Sequence, residues 1–485
     1  MSGNERITLE LCKESDIKDG EMREFEVLGS SILLVKSNGT FSAVGNKCSH
    51  YGAPLSKGSL AGDRVRCPWH GACFNVKTGD IEEFPGLDSL PCFTVKVENG
   101  SVHIVTSKKA LENVKRVKAM SRHCASDRSI VAIIGTGPAA LVCAETLRQE
   151  GYTGQIIMVT KEKHLPYDRT KLSKAMNAKP EDIYLRTKEF FSQYDIEVRM
   201  EKEAVSVNTD EARVKFRDGS FLQYSQLLIA TGSMEAAAFL SDKANSVSVI
   251  GKSSVPFQAV LGSEIGTLAM KLLKERGVNF YMRTEAREIH GENGQVKEVL
   301  LRNGAVLPAD VVLVGIGVVP VSSFLKGSRV AVDSRGAIYV DQFMRTSVPD
   351  VFAAGDVVSF PLAMMEGHRA NIGHWQMAHS HGRIAALNML NKHAPVNSVP
   401  FFWTSLLGKS IRYAGFGEGY TEIIMKGSLE ETKFLAFYLK DDIVVAVSSM
   451  NFDPFVSQVA EAILLGRRIT KQEVMADNYI ELISS

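Results

Sequence analysis

Cysteine is missing from most of this 485-residue chain: the seven present are Cys12, Cys48, Cys67, Cys73, Cys92, Cys124 and Cys143, and none follows. An odd, one-sided set excludes a secreted disulfide framework. The cysteine-free remainder lacks the C-x-x-C or C-x(4)-C pair that a dithiol-relaying reductase needs. An excess of charge is also missing. Lysine plus arginine number 56 against 55 aspartate plus glutamate, so no net field draws the chain to nucleic acid or an anionic membrane. No apolar run approaches the roughly 20 residues of a transmembrane helix. The opening MSGNERITLELCKESD has neither a signal-peptide apolar core nor an arginine-rich transit pattern. From sequence alone the expectation is a cytoplasmic protein without a membrane span, long enough for about three domains.

What the front holds is a series of short alternating apolar stretches, EFEVL, SILLVK, FSAVG, FTVKVE and SVHIV, cut by Gly, Asn and Asp turns. They predict a small antiparallel all-β domain over residues 1–106. Within it CSH (Cys48, His50) and CPWH (Cys67, His70) form C-x-H and C-x-x-H, separated by sixteen residues. Two thiolates and two imidazoles suit either zinc or a 2Fe-2S cluster with both histidines on one iron and both cysteines on the other. Finger-type zinc sites usually group cysteines in one half and histidines in the other. Here each loop supplies one of each, with Gly52 and Gly71 permitting close backbone approach, which favours the cluster. These loops, with CPWHGACFNVKTGD leading into a hairpin, resemble the Rieske family. The resemblance implies a 2Fe-2S cluster on Cys48, His50, Cys67 and His70. Ala53 and Trp69 stand where high-potential members carry a disulfide pair, so the likeness is to the low-potential, ferredoxin-like branch.

Residues 107–128 are polar and basic, read as a linker with room for one short helix. SIVAIIGTGPAALVCAETLRQEG then gives an apolar strand, a tight turn (Gly135, Gly137, Pro138, Ala139) and an amphipathic helix. This is the G-x-G-x-x-A β-turn-α unit that receives a dinucleotide. Side chains on the glycines would keep the pyrophosphate from the unpaired N–H groups and positive dipole end of the helix. The following strand, GQIIMVT, ends near Glu162, the candidate ribose ligand. LPYDRTKLSK (Arg169, Lys174, with Thr170 where proline is usual), LLIATGS (Ala230, Thr231, Gly232), VPDVFAAGDVV (Gly355, Asp356) and HWQMAHSHG (His374, Trp375) complete a series resembling the FAD-dependent pyridine-nucleotide oxidoreductases. That resemblance implies an FAD domain over 129–233 and 301–370, with Asp356 on the ribityl chain and His374 and Trp375 near the flavin. It assigns no general acid, base or nucleophile, and His379 and His381 read as packing or surface residues. The tail, 371–485, is similar to the C-terminal domain of ferredoxin reductases and apoptosis-inducing factors, which covers one side of the flavin and often supports dimers.

The expected architecture is therefore multidomain: an N-terminal all-β Rieske domain, an α/β flavoprotein fold with two dinucleotide-binding domains, and an α+β C-terminal reductase-type domain. The resemblance also implies NAD(P)H as electron donor, an acceptor it does not identify, a homodimer as one option, and mitochondrial association. Residues 234–300 depart from the pattern. MEAAAFLSDKANSVSVIG reads as the helix after a second glycine loop and the strand after that, yet LLIATGS runs straight into it. About 45 residues, a first strand with its approach and glycine loop, are missing by the size of such a unit. Gly251 and Lys252 occupy the place of the acidic ribose ligand, and VGIGVVP (Gly315, Gly317, Pro320) resembles the return strand. Loss of a central strand predicts unpaired neighbours and no phosphate cradle for NAD(P)H. Two readings follow: electron transfer from NAD(P)H through FAD to the cluster, or a cofactor-loaded but nicotinamide-incompetent protein acting through partners.

Overall fold

The computed structural model describes residues 6–172, 178–235 and 246–476. In the front domain, strands Arg6–Lys13, Met22–Val27, Ser30–Ser37, Thr40–Gly45, Cys92–Glu98 and Ser101–Ser107 form one six-stranded sheet. Strand Ser30–Ser37 is buried on both faces. Its Ile32 and Leu34 pack with Val102 and Ile104, while the alternate Leu33 and Val35 pack with Leu55, Val65 and Phe74 of a smaller layer. That layer is a four-stranded sheet of Ser59–Ala61, Arg64–Arg66, Cys73–Asn75 and Ile81–Glu83, and it carries the second Cys-His loop.

The basic stretch after it lies along both of its neighbours. A short helix, Lys108–Glu112, is capped by the Ser107 side chain. Arg116 Nε donates to Leu90 O at 3.0 Å and its guanidinium pairs with Asp80. Further on, Ser121 Oγ donates to Tyr152 O at 2.7 Å, and His123 Nδ1 lies 2.9 Å from Thr153 O.

The flavin-type domain centres on a five-stranded parallel sheet ordered Ile196–Arg199, Gln155–Val159, Ile130–Ile134, Gln226–Ile229, Val351–Ala353. Near-continuous Ile, Val and Leu suits strands covered on both faces. Helix Trp375–Met389, placed by sequence in the third unit, joins this core through Met377, Ala378, Ala385 and Ala386. It crosses helix Pro138–Gln149 so closely that a Cβ on Gly382 would lie 2.2 Å from Ala139 O.

The C-terminal domain is a five-stranded antiparallel sheet ordered Phe401–Leu406, Lys409–Gly415, Ile443–Met450, Lys433–Lys440, Glu422–Ser428. Helix Phe455–Leu464 covers one face, packing Val456, Val459 and Ala460 on Leu435, Phe437 and Val447. The other face receives Leu261 and Ile265 of helix Gln258–Lys274 against Tyr413, Phe434 and Tyr438.

The intervening segment is thin. Strand Val247–Gly251 pairs only with Val278–Met282, and Ser233–Glu235 only with Val318–Pro320, among the described residues. Residues 311–315 form neither strand nor helix, and Val311 and Ile316 are 72% and 87% exposed. Of the expected return strand only Val318–Pro320 is strand, because the neighbour that would pair with the rest is missing. The helix expected after the second glycine loop falls largely on 236–245, outside the described residues. No described helix is long and apolar enough to cross a membrane.

Candidate metal centre and flavin site

The two Cys-His loops are built alike. Cys48 N–H donates to Ala53 O at 2.9 Å and Gly52 N–H to Cys48 O at 2.8 Å; Cys67 N–H donates to Ala72 O at 2.8 Å and Gly71 N–H to Cys67 O at 3.2 Å. Both closing glycines have φ of +75°, a conformation that a side chain disfavours. The repeat C-x-x-x-G-A, present as CSHYGA and CPWHGA, thus encodes one turn twice.

The loops bring their four side chains together. Cys48 and Cys67 are 2% and 0% exposed, and their sulfurs are hydrogen-bond partners, which holds the Cys48 thiol well above and the Cys67 thiol below the usual range. The His50 and His70 rings, partly exposed, stand edge to face with centroids 4.9 Å apart. Buried sulfurs on one side and imidazoles on the other fit a binuclear cluster with two protein donors per iron.

In the flavin-type domain, Gly135 and Ala230 meet: a Cβ on Gly135, at φ +113°, would lie 2.2 Å from Ala230 O. Gly137 is the N-cap of the twelve-residue helix Pro138–Gln149 with no side-chain cap bond, and the space a Cβ would enter there is open. Ala139 packs at the same turn, 3.2 Å from the position of a Cβ on Gly355. An uncapped helix end behind an open glycine turn fits a dinucleotide pyrophosphate. Thr231 Oγ1 donates to Val321 O at 2.6 Å. Next to it, beyond Gly232, Ser233 Oγ donates to Asp356 Oδ2 at 3.3 Å and Asn371 Nδ2 to Asp356 O at 2.9 Å. Glu162 and Arg169, expected to contact separate parts of a cofactor, form an ion pair with each other at 2.8 Å. Lys174 lies outside the described residues. Trp375 opens its helix with its ring 5.2 Å from that of His379.

Trp403, which the sequence reading passed over, stands between the cluster loops and His374. Its ring centroid is 4.4 Å from His70, 5.9 Å from His50 and 5.5 Å from His374. His374 precedes the Trp375 helix, and its Nδ1 is buried without a hydrogen-bond partner. Burial pushes its imidazole down to about 4. Beside this junction a cleft of about 300 Å³ is lined by Trp69, His70, Trp403, Ser410 and Arg412.

The second dinucleotide half offers no such cradle among the described residues. Helix Gln258–Lys274 begins after Phe257 in left-handed conformation and breaks at Gly262, φ +86°. Lys252, at the expected ribose position, pairs with Glu285.

Fold and site together define a dinucleotide-binding reductase with a cluster-type module in front of it. The chain belongs to the pyridine nucleotide-disulphide oxidoreductase family, which it matches over residues 129–235 and 233–382. A Rieske [2Fe-2S] domain is matched over 8–94 and a reductase C-terminal domain over 401–484. By family it is an FAD-dependent NAD(P)H oxidoreductase whose cofactors are 2Fe-2S, FAD and NAD(P)H. The chain is 48% identical to the human protein named apoptosis-inducing factor 3 over 514 residues, 96% of this chain and 85% of that one; the mouse protein of that name matches over the same span. It is 29% identical to the ferredoxin–NAD(+) reductase component of the Paraburkholderia xenovorans biphenyl dioxygenase system, over 66% of this chain and 90% of that one. In fold it matches the reductase of a covalent putidaredoxin reductase–putidaredoxin complex, with TM-score 0.68 and 24% identity, over 74% of this chain and 99% of that one. The human alignment runs about 48 positions beyond the share of this chain it covers, and the family match restarts at 233–235, where the sequence lacks its second glycine loop.

Proposed function

We propose that this chain takes up electrons at the flavin site and passes them one at a time to its own Rieske centre. FAD, when bound, supplies two-electron acceptance with one-electron release, and the cluster accepts single electrons. The protein's part is placement: the glycine turn at Gly135 and Gly137 would hold the pyrophosphate, Asp356 the ribityl chain, and Cys48, His50, Cys67 and His70 the cluster. The observation that carries this reading is Trp403, packed between His70 and His374, which brings the two sites within one ring of each other. Anaerobic mixing with NADH tests it. Flavin bleaching followed by the rhombic EPR signal of a reduced Rieske cluster is expected; a bleached flavin with an EPR-silent cluster would refute it.

A second reading is favoured by the strandless 311–316 stretch, exposed at Val311 and Ile316, and by the lack of a second glycine cradle among the described residues: the chain binds its cofactors but not nicotinamide, and acts through partners. No bleaching at millimolar NADH, with full bleaching by dithionite, selects this reading. The names of the mammalian relatives suggest a connection with apoptosis, and the family resemblance suggests mitochondrial association, which cell fractionation reads directly. Homodimerisation, suggested by the C-terminal domain type, is read by sedimentation.

A further inference from the structure

The Rieske module of this chain is seated on the other two domains through buried charged groups. Arg66 is fully buried. Its Nε donates to Glu461 Oε1 at 2.6 Å, Nη2 to Glu83 Oε2 at 2.6 Å and Nη1 to Gly71 O at 2.9 Å. Glu461 lies on helix Phe455–Leu464 of the C-terminal domain and is 3% exposed. Arg64 adds ion pairs to Glu83 at 3.6 Å and Glu461 at 3.7 Å, so two guanidinium groups face two carboxylates. The second cluster loop is also gripped by its backbone. Ser457 Oγ donates to Cys67 O at 3.0 Å and Arg412 Nε to Trp69 O at 3.1 Å. Phe401 fills the space left by Gly71, where a Cβ would lie 2.6 Å from its ring. On the flavin-domain side Arg186 pairs with Asp88 at 2.8 Å, and the Phe84 ring stands 5.2 Å from His379.

Interfaces that open and close place their charges on a wet rim. Here Arg66 and Glu461 pair with side chains 0% and 4% exposed, which fixes one orientation and shields the pair from salt. We propose that the Rieske module is permanently docked in cis, with Glu461 as the clamp, so that the reductase face around Phe401, Ser457 and Glu461 is closed to a separate ferredoxin. Building on the proposed flavin-to-cluster transfer, this makes the transfer unimolecular. An outside acceptor then meets the cluster at the cleft beside Trp69 and His70.

The test uses the full-length holoprotein. In the native chain, small-angle scattering at 0.15 M and 1 M salt is expected to superimpose, with slow amide exchange across 67–71 and 455–464. Glu461→Lys, which sets a like charge against Arg66, is expected to raise exchange in both segments and enlarge the particle. It should also slow cluster reduction about tenfold, since a tethered module keeps a high effective concentration, and let an added [2Fe-2S] ferredoxin be reduced. Glu461→Gln keeps the side-chain shape and should make docking salt-sensitive, which covers the case of a lysine variant that does not fold. Salt-dependent scattering of the native chain, or a folded Glu461→Lys protein with unchanged exchange, overturns the proposal. Exchange and scattering do not depend on electron flow, so intact docking with an unreduced cluster would refute the functional reading and leave the docking standing.

Discussion

The two dinucleotide halves started from one plan and now differ in what each strand can bury. In the first, Ile133 is fully buried in the sheet core and precedes the Gly135–Gly137 turn. In the second, strand Val247–Gly251 has one partner among the described residues, and Ile316, on the segment returning from it, stands in solvent. A parallel sheet is stable because both faces and both edges are covered. Removing one β-turn-α unit uncovers its neighbours as well as deleting its own loop, and helix Gln258–Lys274 then takes its shelter from the C-terminal sheet.

The contrast can be broken most severely at its glycines. Gly135→Ala drives a methyl into the Ala230 carbonyl; the expected loss is about 4 kcal/mol or more together with all bound flavin, read by urea titration and by absorbance near 450 nm. In the second half Gly277→Ala meets nothing within 4 Å and bears only the strain of its +81° φ, about 1 kcal/mol. Equal losses at the two positions would erase the distinction between the halves.

Truncating Ile133 to alanine is expected to cost about 2 to 4 kcal/mol, measured as a shift in the urea midpoint at unchanged slope. A shift below about 1 kcal/mol would mean that the sheet is not the packed core described above.

Helix Trp375–Met389 adds a pH term confined to the intact half. His379 and His381 are buried with neither ring nitrogen hydrogen-bonded, and burial pushes both imidazoles down to about 3 from 6.5. Below pH 6.5 the unfolded chain therefore binds protons that the folded chain refuses, and stability is lost as pH falls through the window from 6.5 to 3. The expected loss at pH 5 is about 2 kcal/mol for each histidine. His381→Leu should flatten the Tm-against-pH curve by its share. An unchanged slope would place a proton-accepting partner beside the ring.

Ile316→Ser gives the smallest expected effect, within about 0.5 kcal/mol. A larger loss in the same titration would show that something covers this residue in solution.

The metal centre was legible because each loop is closed by hydrogen bonds four and five residues apart, so C-x-x-x-G-A carries its own geometry. The Gly135 turn was legible because an apolar strand, the glycines and a helix follow one another directly in sequence. The junction was not: Arg66 and Glu461 are 395 residues apart, and Trp403 reaches His374 only after two sheets have packed. Neither pairing has a local periodicity to reveal it. Helix Trp375–Met389 was expected to start near the flavin yet was counted with the third unit, because its small residues, Ala378, Gly382 and Ala386, declare close packing without saying against what. Glu162 and Arg169 looked like two independent ligands, since a sequence does not show that their side chains reach each other.

Gly71 belongs to two structural contracts at once, the left-handed turn of its own loop and the seat of the Phe401 ring. A Rieske module transplanted from another protein would have to satisfy both. Chimeras that keep the four ligands but bring a bulkier residue to this position should assemble a cluster and still fail to sit on the reductase, unless residue 401 is trimmed to match.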